Sequence, residues 1–225
     1  MIRFIAAIIG LVTATAGYAG TERILFLGNS ITLHGPKASI GWTNNCGMAA
    51  SALEKDYVHI LSRAVGTVTG TAPVTMVQNI SDFEKRYETY DLTQLKKALE
   101  FKADTIIVAI GENVPALASE EAKAKFKASM LKLLTALKGS NNPTILVRSS
   151  FWQNKAKDET LKQACTEAGG VFVDISGLSK DESHFARSER SYAHSGVAAH
   201  PGDKGMQAIA DALLAALKTT KALSK

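Results

Sequence analysis

Five short apolar runs, Ile24 to Leu27, Val74 to Val77, Thr105 to Ile110, Thr144 to Val147 and Val171 to Ile175, recur along this chain with amphipathic stretches between them. Runs that are apolar at successive positions, rather than at alternate ones, must be covered on both faces, as the strands of a parallel sheet are. The stretches between them carry helical spacing. Phe126, Met130, Leu133, Leu134 and Leu137 share one face of a helix over 120–138, and Met206, Ile209, Ala210, Leu213 and Leu217 do the same near the end of the chain. Met48 to Val65, Leu92 to Phe101 and Lys157 to Ala168 are further helices by the same criterion. This alternation predicts an α/β fold: a three-layer α/β/α sandwich around a central, mostly parallel five-stranded sheet, with right-handed crossovers.

The first residues read as an export signal. Arg3 gives a short basic start, Phe4 to Val12 are almost wholly apolar, and Gly17-Tyr18-Ala19 forms a small-x-small cleavage site. The expectation is a signal peptide over 1–19 and one domain over 20–225, secreted or periplasmic. The apolar stretch falls short of the ~20 residues of a membrane span, so no stable membrane insertion is expected after cleavage. The formal charge is +5, of which Arg3 supplies one. The remaining Lys and Arg are mixed with acids along helical stretches and form no basic stripe with interleaved aromatics, which argues against nucleic acid as a partner. No phosphate-binding glycine loop follows a strand, and no Cys or His spacing suits zinc, so neither cofactor nor metal is expected. Cys46 and Cys165 are the two cysteines. Export allows them to pair; the alternative is a buried free thiol, since Cys165 shares a helix face with Leu161. The oligomeric state is open.

In an open parallel sheet, ligands gather where the carboxyl ends of the strands run into loops. Ser30 follows the first strand, Asn79 and Ser81 the second, Gly111-Glu112-Asn113 the third, and Arg148 to Trp152 the fourth. Far along the chain, His200-Pro201-Gly202 places a histidine at the mouth of the last helix. A serine that ends one strand and a distant loop histidine meet only in three dimensions, as nucleophile and general base do.

Gly28-Asn29-Ser30, Gly111-Glu112-Asn113 and His200-Pro201, in this order, resemble the motifs of the SGNH hydrolases, also called the GDSL esterase/lipase superfamily. The resemblance covers essentially all of 20–225 and implies a flavodoxin-like sheet. It also implies that Ser30 is the nucleophile and His200 the general base. The implied oxyanion hole comprises the Ser30 N–H, a backbone N–H after the second strand, assigned to Ser81, and the Asn113 side-chain amide. Three positions depart from the family pattern. Asn29 stands where the motif usually has Asp, and Asn79 to Glu84 lacks the glycine that commonly supplies the second donor. Val197 stands where an Asp three residues before the histidine usually orients the ring. The orienting group is then a backbone carbonyl, an acid from elsewhere such as Glu112 or Asp174, or missing. Asp203 is read as the cap of the last helix.

Several side chains near these loops are candidate substrate contacts, each with a blander alternative. Trp42, in Gly41 to Met48, either walls a pocket or stacks on a sugar ring, or it plugs the core. Trp152 poses the same choice. Arg148 either clamps a substrate carboxylate or pairs with Glu112, and His34 lies in the serine loop. Together these residues point to an exported serine esterase acting on a small acyl ester, foremost acetyl, of a small molecule or carbohydrate. The competing expectation is a binding protein on the same scaffold that has lost catalysis, for which Val197 is the argument.

Overall fold

A computed structural model describes residues 21–139 and 141–223; the expected signal segment lies outside the described residues. Strands β1 (Arg23–Gly28), β2 (Val74–Asn79), β3 (Thr105–Ala109), β4 (Thr144–Arg148) and β5 (Val171–Val173) form one sheet in the order β2-β1-β3-β4-β5. All neighbouring pairs are parallel, and the order is that of a flavodoxin-like sheet. Gly28 is in register with both Asn79 and Ala109. The ends of β1, β2 and β3 are therefore level, and the loops after them open side by side.

The helices are α1 (Tyr57–Thr69), α2 (Ser81–Lys85), α3 (Lys96–Glu100), α4 (Glu120–Lys138), α5 (Lys155–Glu167), α6 (Ser195–Ala198) and α7 (Asp203–Lys218). Successive side chains of a strand leave on opposite faces. Ile24, Phe26, Ile107 and Leu146 pack into the layer of α1 and α7, whereas Leu25, Leu27, Ile106, Val108 and Val147 pack into that of α4 and α5. Double coverage holds for β1, β3 and β4. It fails at the edges: β2 and most of β5 are only partly buried, and Val74 is 56% exposed, because an edge strand has a neighbour on one side only.

Two local expectations change, and the question left open about the cysteines closes. The helix expected from Met48 starts only at Tyr57. Ala49 has a φ of 72°, outside helical space, and the Asp56 carboxylate accepts the His59 N–H at 2.8 Å, which sets the first turn. Asp203 does not cap α7. Gly202 holds the cap position, and the carboxylate of Glu189 accepts the N–H groups of Asp203 and Lys204, each at 2.8 Å. Asp203 instead accepts from the Ser51 N–H at 2.8 Å and pairs with Arg190. The two cysteines do not pair: Cys46 and Cys165 are buried and free, in the hydrophobic clusters on opposite faces of the sheet. Burial pushes both thiols up to about 11. Among the described residues no helix is long and apolar enough to cross a membrane.

Candidate active site

The chain leaves β1 through Gly28, whose missing side chain is required sterically. A Cβ there would collide with Thr32 and press on the carbonyl oxygen of Ala109. The next residues turn sharply, the Thr32 and Leu33 N–H groups both donating to the Asn29 carbonyl at 2.9 Å. The turn leaves Ser30 half-buried with its Oγ free of the sheet. The Ser30 Oγ lies 2.8 Å from Nε2 of His200. On the far side of the ring, Nδ1 lies 2.6 Å from the carbonyl oxygen of Gly196. A carbonyl only accepts, so Nδ1 carries the proton and Nε2 presents its lone pair to the serine hydroxyl.

The group that orients His200 is thus the Gly196 carbonyl, at the start of the one-turn helix α6. Val197 points elsewhere: it is 1% exposed and packs into the core. The ring is also held by Trp152, whose indole stands edge-on to it with centroids 5.2 Å apart and planes at 88°. The Trp152 Nε1–H donates to the Ala199 carbonyl at 3.2 Å, tying the indole to the histidine loop. Burial holds the imidazole pKa below its ordinary value, and the nearby His34 adds to this. The Gly196 hydrogen bond and the Glu112 charge oppose it without reversing it. A neutral ring with a free Nε2 lone pair is the form in which a histidine takes a proton.

Glu112 is not near Nδ1. Its side chain is 3% exposed, and its Oε1 accepts from Arg148 Nη1 at 2.6 Å and from the Phe151 N–H at 2.8 Å. It is therefore the loop-holding acid of the two roles expected for it. Burial works against its charge, but the Arg148 guanidinium and these hydrogen bonds outweigh burial and lower its pKa. Arg148 is fully buried and also donates to the Ser149 carbonyl at 2.7 Å, so it does not reach a substrate. Asp174 is likewise engaged away from the histidine, accepting from Ser176 and Ser149.

Beneath the serine turn lies a residue that the sequence did not single out. Glu84, on α2, is fully buried. Its Oε1 accepts from the Gly111 N–H at 2.7 Å, from Asn29 Nδ2 at 3.1 Å and from the Asn113 N–H at 3.2 Å. Its Oε2 accepts from Asn113 Nδ2 at 2.7 Å. Asn29 Nδ2 also donates to Glu112 Oε2 at 2.6 Å, so a single amide bridges two buried carboxyls. This accounts for Asn at position 29: an Asp there would bring a third acid against Glu84 and Glu112. Burial, and then the Glu112 charge, push the Glu84 pKa up against the donors that surround it. Apolar Ile80 and Phe83 precede Glu84 in the sequence, but Asp82 and Lys85 flank the same stretch, and the charge of Glu84 hides it among them. Gly111 has a φ of 134°, and a Cβ on it would strike Ser150. Only glycine lets the loop pass there and present Asn113.

The expected oxyanion donors fare differently. Among the described residues no acceptor takes the Ser30 N–H. The exposed Asn113 amide has one N–H held by Glu84 and a second that is free, and Asn113 lines the pocket in front of Ser30. The Ser81 N–H is already engaged by Asn79 Oδ1 at 2.8 Å, so the donor assigned to Ser81 is withdrawn. Asn79 in turn donates from Nδ2 to the Leu33 carbonyl at 2.7 Å, fastening the second loop to the serine loop.

The pocket at Ser30 and His200 has a volume of about 450 Å³. His34 lines it, as expected of a substrate contact, together with Ile40, Met48 and His194. Trp42 does not. It is 4% exposed, packs in the core, and donates from Nε1 to the His34 carbonyl at 3.0 Å, so it plugs the fold beneath the serine loop. Trp152 packs edge-on against His200 and does not itself line the pocket. Among the described residues no cluster of three or more His, Cys, Asp or Glu is arranged to hold a metal ion.

No protein-family profile and no curated protein sequence matches the chain. Solved structures do. A GDSL-like lipase from Bacteroides uniformis superposes with a TM-score of 0.58 at 13% identity, over 90% of this chain and 98% of the other. A psychrotrophic esterase, EstA, from a Pseudoalteromonas species gives 0.57 at 12% identity, over 88% and 97%. An acetyl xylan esterase, AlAXEase, gives 0.55 at 17% identity, over 87% and 99%. At such identities the likeness is one of fold, and it extends over nearly the full length of each partner. The chain has the fold of the SGNH hydrolase superfamily, to which these lipases and esterases belong.

Proposed function

We propose that this protein is an exported serine esterase that removes a small acyl group, foremost acetyl, from a carbohydrate or small-molecule ester. The observation that carries the reading is the 2.8 Å contact between Ser30 Oγ and a His200 Nε2 whose ring is fixed by the Gly196 carbonyl. As Oγ attacks the ester carbonyl, Nε2 takes its proton, so that no free alkoxide forms. The negative charge that develops on the carbonyl oxygen is received by the Ser30 N–H and the free N–H of the Asn113 amide. Each such donor is worth on the order of 3 kcal/mol of barrier. The imidazolium returns its proton to the departing alkoxide, leaving an acyl-Ser30, and water repeats the sequence to release the acid.

The esterases and lipases of like fold support the reaction class, and the acetyl xylan esterase among them supports an acetylated carbohydrate as substrate. A fluorophosphonate probe should label the protein at Ser30, and Ser30→Ala should remove both the labelling and the hydrolysis of 4-nitrophenyl acetate. Turnover that persists in Ser30→Ala would refute the mechanism. One feature favours a second reading, a binding protein without turnover: a carbonyl stabilises the imidazolium less than a carboxylate does. That reading predicts an unlabelled wild-type protein that still binds the ligand.

A further inference from the structure

We propose that the ester acted on at Ser30 is carried by an anionic saccharide, whose charge is read by Lys37 and Lys85. The inference rests on the esterase reading for its reaction and on the pocket alone for its ligand. Lys37, Lys85, His34 and His194 line the pocket with Ser30 and His200, and no Asp or Glu does. The acids nearby are turned away from it. Glu84 and Glu112 are buried beneath the serine turn and engaged there, and Asp82 pairs with Arg86 at 3.1 Å.

Neither pocket lysine is neutralised. Lys96, Lys123, Lys125, Lys127 and Lys155 each lie beside a carboxylate. Among the described residues Lys37 and Lys85 have no such partner. Both also stand on fixed backbone. The Lys37 N–H donates to the Trp42 carbonyl at 2.7 Å and its carbonyl accepts from the Trp42 N–H at 3.2 Å, with Trp42 locked in the core. Lys85 ends α2 directly after the buried Phe83 and Glu84. The Gly196 N–H donates to His194 Nδ1 at 3.1 Å, which leaves the proton of a neutral His194 on Nε2, a further donor on the pocket residue. Two unpaired cations and the histidine donors of one pocket, with no acid among its lining, form a local field that attracts an anion. The polar, open lining suits a saccharide carrying a carboxylate near the acylated hydroxyl.

Binding to the Ser30→Ala protein, measured by calorimetry at low salt, tests this without any turnover. Trigalacturonate should bind about tenfold more tightly than galactotriose, the scale of two partly exposed charge contacts. The Lys37→Gln, Lys85→Gln double variant should lose that preference, while Lys97→Gln, Lys132→Gln, away from the pocket, should keep it. A galactotriose sulfate in a third arm separates a carboxylate from a sulfate as the charge being read. Equal affinity for charged and neutral trisaccharides, or a preference that the double variant retains although its melting point is unchanged, overturns the proposal. Absent esterase activity in the wild type would instead count against the reaction and leave the binding result standing.

Discussion

Asn29 and Glu84 are held against each other under the Ser30 turn, with Asn29 Nδ2 3.1 Å from Glu84 Oε1 and 2.6 Å from Glu112 Oε2. The side chain before the serine therefore separates two buried acids, and its neutrality is what makes the arrangement tolerable. Replacing it by Asp, the residue usual in the motif that this turn resembles, should destabilise this protein by about 2 to 4 kcal/mol at neutral pH. The new carboxyl would have its folded pKa raised by burial and two like charges. The penalty should accordingly be small below the ordinary Asp pKa and grow as pH rises through the raised one. Melting curves of Asn29→Asp across pH 4 to 8 check this; a penalty independent of pH would contradict it.

Glu84 holds Asn113 through its backbone and side-chain N–H groups, and under the proposed mechanism it would act through Asn113, as a positioning residue. In Glu84→Gln the amide oxygen can keep the Gly111 and Asn29 bonds made by Oε1, but the amide NH2 in place of Oε2 would face the Asn113 Nδ2 donor, and kcat should fall about 10²-fold with little change in KM, the effect of misplacing one oxyanion donor. Asn113→Ala should cost about as much. The double variant should be no worse than Asn113→Ala alone, because the two substitutions remove one function. Additive losses would show that Glu84 acts by another route.

The pH dependence follows from the neutral His200. Only the unprotonated ring takes the serine proton, so kcat/KM should rise with pH and then level. Its inflection should lie below the ordinary imidazole value of 6.5, in the direction burial shifts it. A profile of 4-nitrophenyl acetate hydrolysis that inflects above that value would contradict the buried, carbonyl-held ring.

Arg148 stabilises the site from below. Arg148→Met would leave Glu112 charged and buried without its cation and should destabilise the fold by about 3 to 5 kcal/mol. Because Arg148 is fully buried, KM at a temperature where the variant remains folded should stay within about twofold of wild type. A large rise in KM would mean that Arg148 meets substrate after all.

The fold was legible because each strand is an apolar run between helices of clear period, and double burial leaves few other ways to arrange such runs. That Ser30, Asn113 and His200 gather at one pocket was legible for a related reason: each is a chemically capable residue at the place where an element ends. Glu84 was not. In Ser81-Asp82-Phe83-Glu84-Lys85 it reads as one more charge on a solvated turn, and only the level ends of β1, β2 and β3 bring Gly111, Asn29 and Asn113 around it. The tryptophans misled for the opposite reason. Trp42 and Trp152 lie in the right loops, but an indole both fills space and donates, and near a rim those properties serve the scaffold as readily as a ligand. Ser81 failed as a donor because Asn79, two residues earlier, reaches its N–H first.

The acceptor that orients His200 belongs to the main chain. Every amino acid supplies a carbonyl, so no point substitution at position 196 can delete the acceptor outright, whereas the acid of a triad is lost by a single codon change. The vulnerability moves from residue identity to the path of the backbone through 194–200. Mutational damage to the base should therefore come from changes that alter that path, such as an inserted residue, a proline or a larger side chain at Gly196, where a Cβ would already press on the His194 ring. In this protein what His200 Nδ1 faces is set by a shape and not by a side chain.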